Sequence, residues 1–328
     1  MENILIIHHN DRDGLCSAAI IYDSLDKENA VQFSEQNYTK SYNEICPLSE
    51  VPNYSRIYIV DYSVSTYDDV RWLAEANKLT LLIWIDHHES SLKLMNSDKT
   101  KEIFGGEPKI KGYRINGISA AALCWMYVNK KFDKLNNIVK RCNSTLAPID
   151  ARRELLKLSI PSIIFFTHRY DIWDHDEYDM DPLYFNYGDY HDLAWWIDMM
   201  TKSIYYTDKV VEQEIERGKF KYAQVMENNN TYCERYGFET KLKIQATGTE
   251  YSVFAVNKAT GNSLLFGDRI DKYDIVCVFQ YVGPDQCWRY SIYTAPKSNI
   301  NAGEIALMLG GGGHPHAAGF RTDYCLFD

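Results

Sequence analysis

Three hydrophobic stretches of the chain end in histidine or aspartate, namely residues 3–9 (NILIIHH), 56–61 (RIYIVD) and 81–89 (LLIWIDHHE). One aspartate after a strand commonly caps the next helix, and one histidine there commonly faces solvent. Three such ends are poorly explained by capping alone, because buried polar side chains need partners. A shared site explains all three. Asp with His, and no Cys nearby, suits a hard divalent cation such as Mn²⁺ or Mg²⁺ better than structural zinc.

The elements that would position these residues follow a βαβ pattern. Helical periodicity at residues 15–25 and about 66–77 separates the three hydrophobic stretches, which predicts a parallel sheet flanked by helices. The carboxyl ends of parallel strands share one edge of a sheet, where ligands bind. A fourth apolar element, residues 158–167, leads to Asp171 and Asp174 and repeats the pattern.

The fold class predicted is α/β, with a larger N-terminal domain and a smaller C-terminal one. We expect a catalytic domain over residues 1–190, a helical connector over 191–230 and a second α/β domain over 231–328, with Asn228–Asn230 as the most linker-like triplet. Polar composition predicts surface loops at residues 92–116 and 175–190. Short strands are predicted at residues 242–245, 251–257, 275–280 and 288–293, and a helix at 302–309.

The composition of the chain limits the kinds of molecule that it is expected to bind and the compartment in which it is expected to occur. The formal net charge is −10 and no basic run is present, which argues against tight binding of long nucleic acid. The eight cysteines form no CxxC pair, which is typical of reduced thiols in a cytoplasmic protein. No stretch is apolar enough to predict a membrane span, and the N-terminal residues do not resemble a signal peptide.

Four motifs in order resemble those of the DHH/DHHA1 phosphoesterases. They are His9-Asn10-Asp11-Arg12-Asp13-Gly14, Val60-Asp61-Tyr62-Ser63, Asp86-His87-His88 and Gly311-Gly312-Gly313-His314-Pro315-His316-Ala317-Ala318-Gly319. Each motif is weak alone, but the four in this order and spacing are specific. The resemblance covers nearly the whole chain, and implies a metal-binding DHH domain followed by a substrate-binding DHHA1 domain.

The resemblance implies a pair of metal ions. One ion would take His9, Asp11 and Asp61, and the other Asp13, Asp61, His87 and Asp171, so that Asp61 bridges them. Asp86 would orient a ligating histidine, and His88 would touch the substrate phosphate. Motif spacing favours His9 over His8, and Asp171 over Asp174, without removing the alternatives.

The resemblance places substrate binding on the glycine-rich motif, across a cleft from the metals. Gly311, Gly312 and Gly313 would let backbone amides approach a phosphate, and His314 would add a hydrogen bond or charge. A helix C-cap accounts for one glycine but poorly for this whole run. Several relatives have Arg where this chain has Tyr293, so phosphate capture could fall to Arg289 or Arg269.

The function predicted is a Mn²⁺-dependent phosphodiesterase, with Mg²⁺ as an alternative ion, that converts short oligonucleotides or linear dinucleotides to mononucleotides. Bacterial oligoribonucleases of the nanoRNase type are the branch most similar to it, and a homodimer is a further possibility. The alternatives are hydrolysis of cyclic dinucleotides or of 3′-phosphoadenosine 5′-phosphate, a RecJ-like single-strand exonuclease, and a nucleotide-binding sensor without activity. The histidines at positions 168, 175, 191 and 316 are interpreted as surface or packing residues.

Overall fold

The computed structural model describes residues 1–37, 40–131, 147–174, 179–202 and 207–327. Within them the chain divides into two compact units, Met1–Lys219 and Phe220–Asp328. His175 and Cys142 lie outside the described residues.

The first unit is built on a four-stranded parallel sheet with the order β2-β1-β3-β4. The strands are β1 (Asn3–His9), β2 (Ala30–Gln36), β3 (Arg56–Val60) and β4 (Leu81–Ile85). The inner strands are hydrophobic on both faces, as expected for a parallel sheet covered on both sides. The predicted α/β fold with a helix-flanked parallel sheet is confirmed.

Helices cover both faces of this sheet and form two separate cores. Those up to the end of β4 are α1 (Arg12–Asp23), α2 (Tyr42–Ile45) and α3 (Tyr67–Leu79). Those after it are α4 (Glu89–Met95), α5 (Asp98–Phe104), α6 (Ala120–Val128), α7 (Pro148–Lys157), α8 (Ser162–Asp171), α9 (Asp181–Tyr187) and α10 (Leu193–Thr201). Helices α1, α6 and α8 pack on one face and α3 on the other.

Two predicted loops in this unit are wrong. Residues 92–116 include α5 and most of α4, and residues 111–115 run beside β4, where Asp86 N donates to the Tyr113 carbonyl at 3.1 Å. Residues 175–190 include α9. Both stretches are polar because the helices are short and partly exposed, so composition alone could not separate them from loops.

Helix α11 (Thr207–Tyr236) continues from the first unit into the second. The Asn228–Asn230 triplet, predicted as a linker, lies inside this helix, and that prediction is wrong. Asn229 is 9% exposed and its Nδ2 donates to the Leu264 carbonyl at 3.5 Å, so tertiary packing overrides the low helix propensity of asparagine. The predicted domain boundaries at residues 190 and 230 remain a proposal.

No described helix is long and apolar enough to cross a membrane.

The second unit contains a mixed six-stranded sheet with the order β5-β6-β7-β8-β10-β9. Its strands are β5 (Gly237–Lys243), β6 (Glu250–Asn257), β7 (Ile275–Val282), β8 (Cys287–Tyr293), β9 (Gly312–His314) and β10 (Ala317–Thr322). Helix α12 (Ala302–Met308) packs on one face, and the 3₁₀ segment Ser263–Asp271 with the end of α11 packs on the other.

Candidate metal centre

The carboxyl ends of three parallel strands supply the predicted ligands of the first three motifs. His9 ends β1, Asp61 follows β3, and Asp86 follows β4. Asp171, which follows the fourth apolar element, is the last residue of α8. The separation of these residues along the chain means that the tertiary fold, not local sequence, brings them together.

Three overlapping groups of side chains in this region could each hold a metal ion, and in each group the ligand atoms lie within 4.8 Å of one another. The groups are His9 with Asp11 and Asp61, Asp61 with His87 and His88, and Asp13 with His87 and Asp171. All six residues predicted as metal ligands are therefore in one cluster, together with His88.

His87 is at the centre of the cluster. Its Nε2 lies 3.3 Å from Asp61 Oδ1, 3.3 Å from Asp171 Oδ2 and 3.8 Å from Asp13 Oδ2. Asp171 Oδ2 is buried and accepts no hydrogen bond from a described residue. Hard oxygen donors with imidazole nitrogen, and a buried oxygen without a donor, fit a divalent cation.

Asp61 belongs to two of the groups and has an unusual backbone conformation. Its φ is 52°, in the left-handed region that aspartate tolerates better than most residues. Its backbone N donates to the Ile85 carbonyl at 3.0 Å, which fixes the end of β3 beside β4. His9 Nδ1 lies 3.9 Å from Asp61 Oδ2 and 2.9 Å from Asp11 Oδ2.

The two aspartates of the first motif reach the cluster differently. If residues 9–13 were extended, as the alternation of Asp11 and Asp13 with other residues predicts, both carboxylates would point to one side. That prediction is wrong, because Asp11 is the N-cap of α1 and Asp13 lies inside the helix. Gly14 permits this, since a Cβ there would lie 2.3 Å from the His9 carbonyl oxygen. Asp13 accepts hydrogen bonds from Ala120 N at 2.7 Å and from Ala121 N at 3.0 Å, so it also caps the start of α6.

Asp86 orients His88. Its Oδ1 lies 2.7 Å from His88 Nδ1 and accepts from the backbone N of His87 at 2.8 Å. Asp86 is fully buried. A carboxylate on one imidazole nitrogen fixes the ring and leaves the other nitrogen for a metal or a phosphate oxygen. Asp86 was predicted to orient a ligating histidine, but the ring that it contacts is that of His88, and it reaches His87 only through the backbone N.

Burial and the charges of neighbouring carboxylates both disfavour ionisation in this centre. Burial, followed by the charges of neighbouring carboxylates, raises the pKa of Asp61 and of Asp171 well above the usual value. Burial also raises the pKa of Asp13. For Asp11, burial acts upward, but the hydrogen bond and charge of His9 outweigh it and lower the pKa to about 2. The cluster holds more negative charge than its surroundings neutralise.

The alternative ligands lie outside the three groups. His8 is fully buried, its Nδ1 is 2.8 Å from the His9 carbonyl oxygen, and burial lowers its pKa. Asp174 is paired with Arg152 and with Arg169, at 3.4 Å in the second case. The geometry therefore favours His9 and Asp171.

His168 packs behind the centre. Its side chain is fully buried, and its Nδ1 accepts from the backbone N of Ser119 at 3.2 Å. Burial lowers its pKa to about 3, so the ring is neutral. Ser119 Oγ accepts from Ala122 N at 3.5 Å at the start of α6, where Asp13 also binds. The interpretation of His168 as a packing residue agrees with this position.

Arg12 has no role in the sequence-based prediction, yet it lines a cavity of about 60 Å³ with Asp11 and Asp13. Its Nη2 donates to the Asp189 carbonyl at 2.6 Å, and its guanidinium lies 5.2 Å from the ring centre of Phe185. Its Nη1 is buried and donates to no described group. The position of Arg12 between two motif aspartates could have indicated that it lies at the site. Its contact with Phe185 of α9 could not be predicted from the sequence.

The glycine-rich motif lies in the second unit and forms a hairpin. Gly312–His314 is β9, which pairs antiparallel with β10. His314 is exposed. Arg289 is an exposed residue of β8, paired with Arg321 of β10. The roles predicted for His314 and Arg289 in substrate binding remain predictions.

Comparison with known proteins found one family that resembles part of the chain. Residues 3–142 match the DHH family, N-terminal domain. The matched residues include the first three motifs and the whole four-stranded sheet. A comparison with curated proteins found no match.

Solved structures with this fold cover almost the whole chain. A structure described as the DHH domain of a member of a family of ribosomal proteins has 13% identity and a TM-score of 0.53, with 97% of this chain and 82% of that chain covered. At this identity the similarity shows the fold alone.

Two further structures match at lower scores. RecJ in complex with Mn²⁺ from Thermus thermophilus has 13% identity and a TM-score of 0.47, over 99% of this chain and 50% of that one. A pGpG-specific phosphodiesterase from Vibrio cholerae has 14% identity and a TM-score of 0.37, over 98% and 93%.

Proposed function

We propose that the protein is a metal-dependent phosphodiesterase that hydrolyses short oligonucleotides or linear dinucleotides to mononucleotides, with two Mn²⁺ ions. The observation that carries this proposal is the overlap of three ligand groups through Asp61 and His87 in the DHH-matching region. One metal ion needs one group of this kind. Overlapping groups that share ligands are the arrangement required to hold two ions close together.

His9, Asp11 and Asp61 would hold one ion, and Asp13, Asp61, His87 and Asp171 the other. When bound, such ions lower the pKa of water and neutralise charge on phosphate oxygens. The donor set fits Mn²⁺, which accepts both carboxylate oxygen and imidazole nitrogen. Binding would also relieve the repulsion that raises the pKa of the buried aspartates.

The chain's own residues position the substrate phosphate. Asp86 holds Nδ1 of His88, and His88 lies in one group with Asp61 and His87, so its Nε2 would be available for a phosphate oxygen. Arg12 offers the buried Nη1 from the cavity lined by Asp11 and Asp13. A phosphate oxygen would satisfy that donor, whose isolation in the free protein is costly.

The second unit would bind the remainder of the substrate through Gly311, Gly312, Gly313, His314 and Arg289. A net charge of −10 and the lack of a basic run give little electrostatic attraction for additional phosphates, which supports a short substrate.

One assay tests the proposal and its rivals. Purified protein with Mn²⁺ is given a labelled dinucleotide, a pentanucleotide, a cyclic dinucleotide, 3′-phosphoadenosine 5′-phosphate and a long single strand. We expect the first two to be cleaved fastest to mononucleotides. Faster hydrolysis of the third or fourth, or processive degradation of the long strand, would replace the substrate assignment. Binding of nucleotides without any turnover would favour the sensor.

A further inference from the structure

A cavity of about 410 Å³ lies in the second unit, away from the glycine-rich hairpin, and its volume is within the usual range for small-molecule sites. It lies between the end of α11, which contributes Asn229 and Asn230, and the 3₁₀ segment, which contributes Arg269. Helix α12, which leads into the glycine-rich hairpin, packs on the opposite face of the sheet. The predicted substrate motif therefore does not account for this cavity.

Two cations line the cavity without acidic partners. No described acidic residue forms an ion pair with Arg269 or Lys272. The Arg269 guanidinium is already positioned, because Nη1 donates to Asn230 Oδ1 at 3.0 Å and the group lies 5.4 Å from the ring centre of Phe254. A preorganised guanidinium with a nearby ammonium is suited to a phosphate group.

The rest of the lining matches the other parts of a nucleotide. The chain turns at Gly267 with φ 49° and ψ −136°, a conformation that glycine adopts readily, and this turn precedes Asp268 at the cavity. A carboxylate is the usual acceptor for the vicinal hydroxyls of ribose. The partly exposed side chain of Met226 supplies apolar surface for a base.

We infer that this cavity is a second binding site, for a 5′-ribonucleoside monophosphate, with the phosphate on Arg269 and Lys272 and the ribose on Asp268. The choice of a mononucleotide rests on the proposed function, because the products of that reaction are mononucleotides. The inference that Arg269 and Lys272 bind a phosphate group does not rest on it. Occupation of such a site by product would give the protein a nucleotide response that is separate from its metal centre.

The test is calorimetric titration of the full chain in EDTA, so that no metal-dependent reaction occurs. Adenosine 5′-monophosphate, its 2′-deoxy analogue and inorganic phosphate are the three probes. We expect Arg269→Gln and Lys272→Gln each to weaken binding of the monophosphate by roughly tenfold or more, the size expected for a lost charge-assisted hydrogen bond. Asp268→Asn should remove the preference for the ribonucleotide over the 2′-deoxy analogue.

Two control variants separate this site from other cations of the same unit. Arg321→Gln removes the same charge at a position outside the cavity. Arg321 is 57% exposed and pairs with Asp285 at 3.2 Å. His314→Ala removes the predicted substrate residue. Both should bind the monophosphate as the wild type does.

Three results would overturn the inference. They are no binding of the monophosphate, equal binding by wild type and Arg269→Gln, and loss of binding in His314→Ala alone. All three readouts are obtained without catalysis, so failure of the hydrolysis assay would leave this test unaffected, and the reverse also holds.

Discussion

Replacing Asp61 by asparagine should stabilise the metal-free protein while removing its response to metal. Ligand atoms of Asp61 and Asp11 lie within 4.8 Å. Two like charges at that distance repel by roughly 3 kcal/mol at an effective dielectric constant of about 20. The Asp11 side chain is 47% exposed, so solvent screening reduces the expected gain to about 1–2 kcal/mol. Asparagine also tolerates the left-handed backbone of residue 61.

The sign of the pH dependence follows from the raised pKa of Asp61. In the metal-free folded state this carboxyl holds a proton that the unfolded chain has already released above pH about 4. The wild type therefore loses stability relative to Asp61→Asn as pH rises from about 4 toward the folded-state pKa. Below that window the difference in the free energy of unfolding between the two proteins should be constant.

Thermal unfolding in EDTA and in Mn²⁺ at several pH values measures both effects. At pH 8 in EDTA we expect the midpoint of Asp61→Asn to be higher by roughly 2–8 °C, for a unit of this size. At a Mn²⁺ concentration about 100-fold above its dissociation constant, the wild type should gain about 2.7 kcal/mol and the variant much less. A lower midpoint for the variant in EDTA, or equal Mn²⁺ stabilisation of both proteins, would refute the reasoning.

Asp69 provides the matched control, since it is a buried aspartate of the same unit with only 6% exposure. Its carboxylate accepts hydrogen bonds from Tyr42 N, from Ser65 N and from both the N and Oγ1 of Thr66. Asp69→Asn should destabilise the protein by about 1–3 kcal/mol, with no dependence on Mn²⁺. The two substitutions are chemically identical, and only the surroundings make their expected effects opposite.

Three further predictions concern the substrate. Arg12→Lys keeps the positive charge but loses the planar set of guanidinium donors. Steady-state kinetics on a dinucleotide should therefore show kcat/KM lower by roughly tenfold, with the Mn²⁺ dependence unchanged. An unchanged kcat/KM would exclude a contact between Arg12 and the phosphate. Gly312→Ala should fold normally, because a Cβ there meets nothing within 4 Å, and it should raise KM without changing Mn²⁺ binding. Gly311→Ala should lower the stability of the protein, because its Cβ would lie 2.1 Å from the Gly319 carbonyl oxygen. Equal stability of the two variants would contradict this prediction. For oligonucleotides longer than about five residues, kcat/KM should stop rising and depend weakly on salt, and a steep salt slope would favour the RecJ-like alternative.

Strand positions in the first unit could be predicted because hydrophobic runs in a buried parallel sheet have few other interpretations. The predicted stretch 3–9 coincides with β1, and residue 81 does begin β4. The polar segments were less predictable. Asn229 is helical because its side chain bonds to the Leu264 carbonyl, a partner 35 residues away that local propensity cannot include.

The same distinction applies to the candidate metal centre. His9, Asp61 and His87 could be found because the end of a parallel strand delivers its side chain to a known edge of the sheet. Asp11 and Asp13 were correctly placed at the centre, but not because they alternate on an extended chain, since Asp13 lies inside α1. The position of Asp13 depends on α6, more than 100 residues later, whose first amides it accepts.

Asp13 also shows which carboxylates of this centre the fold itself holds in place. A carboxylate held by two amides at a helix start has a structural reason to remain in place, even though burial raises its pKa. Asp86 is held similarly by the backbone N of His87 and the ring of His88. Asp171 Oδ2, by contrast, accepts no hydrogen bond from a described residue. The centre thus combines carboxylates that the fold holds through backbone amides with one, Asp171, that faces His87 Nε2 at 3.3 Å without a hydrogen bond. It follows that metal binding should order the end of α8 more than the ends of β1 and β4.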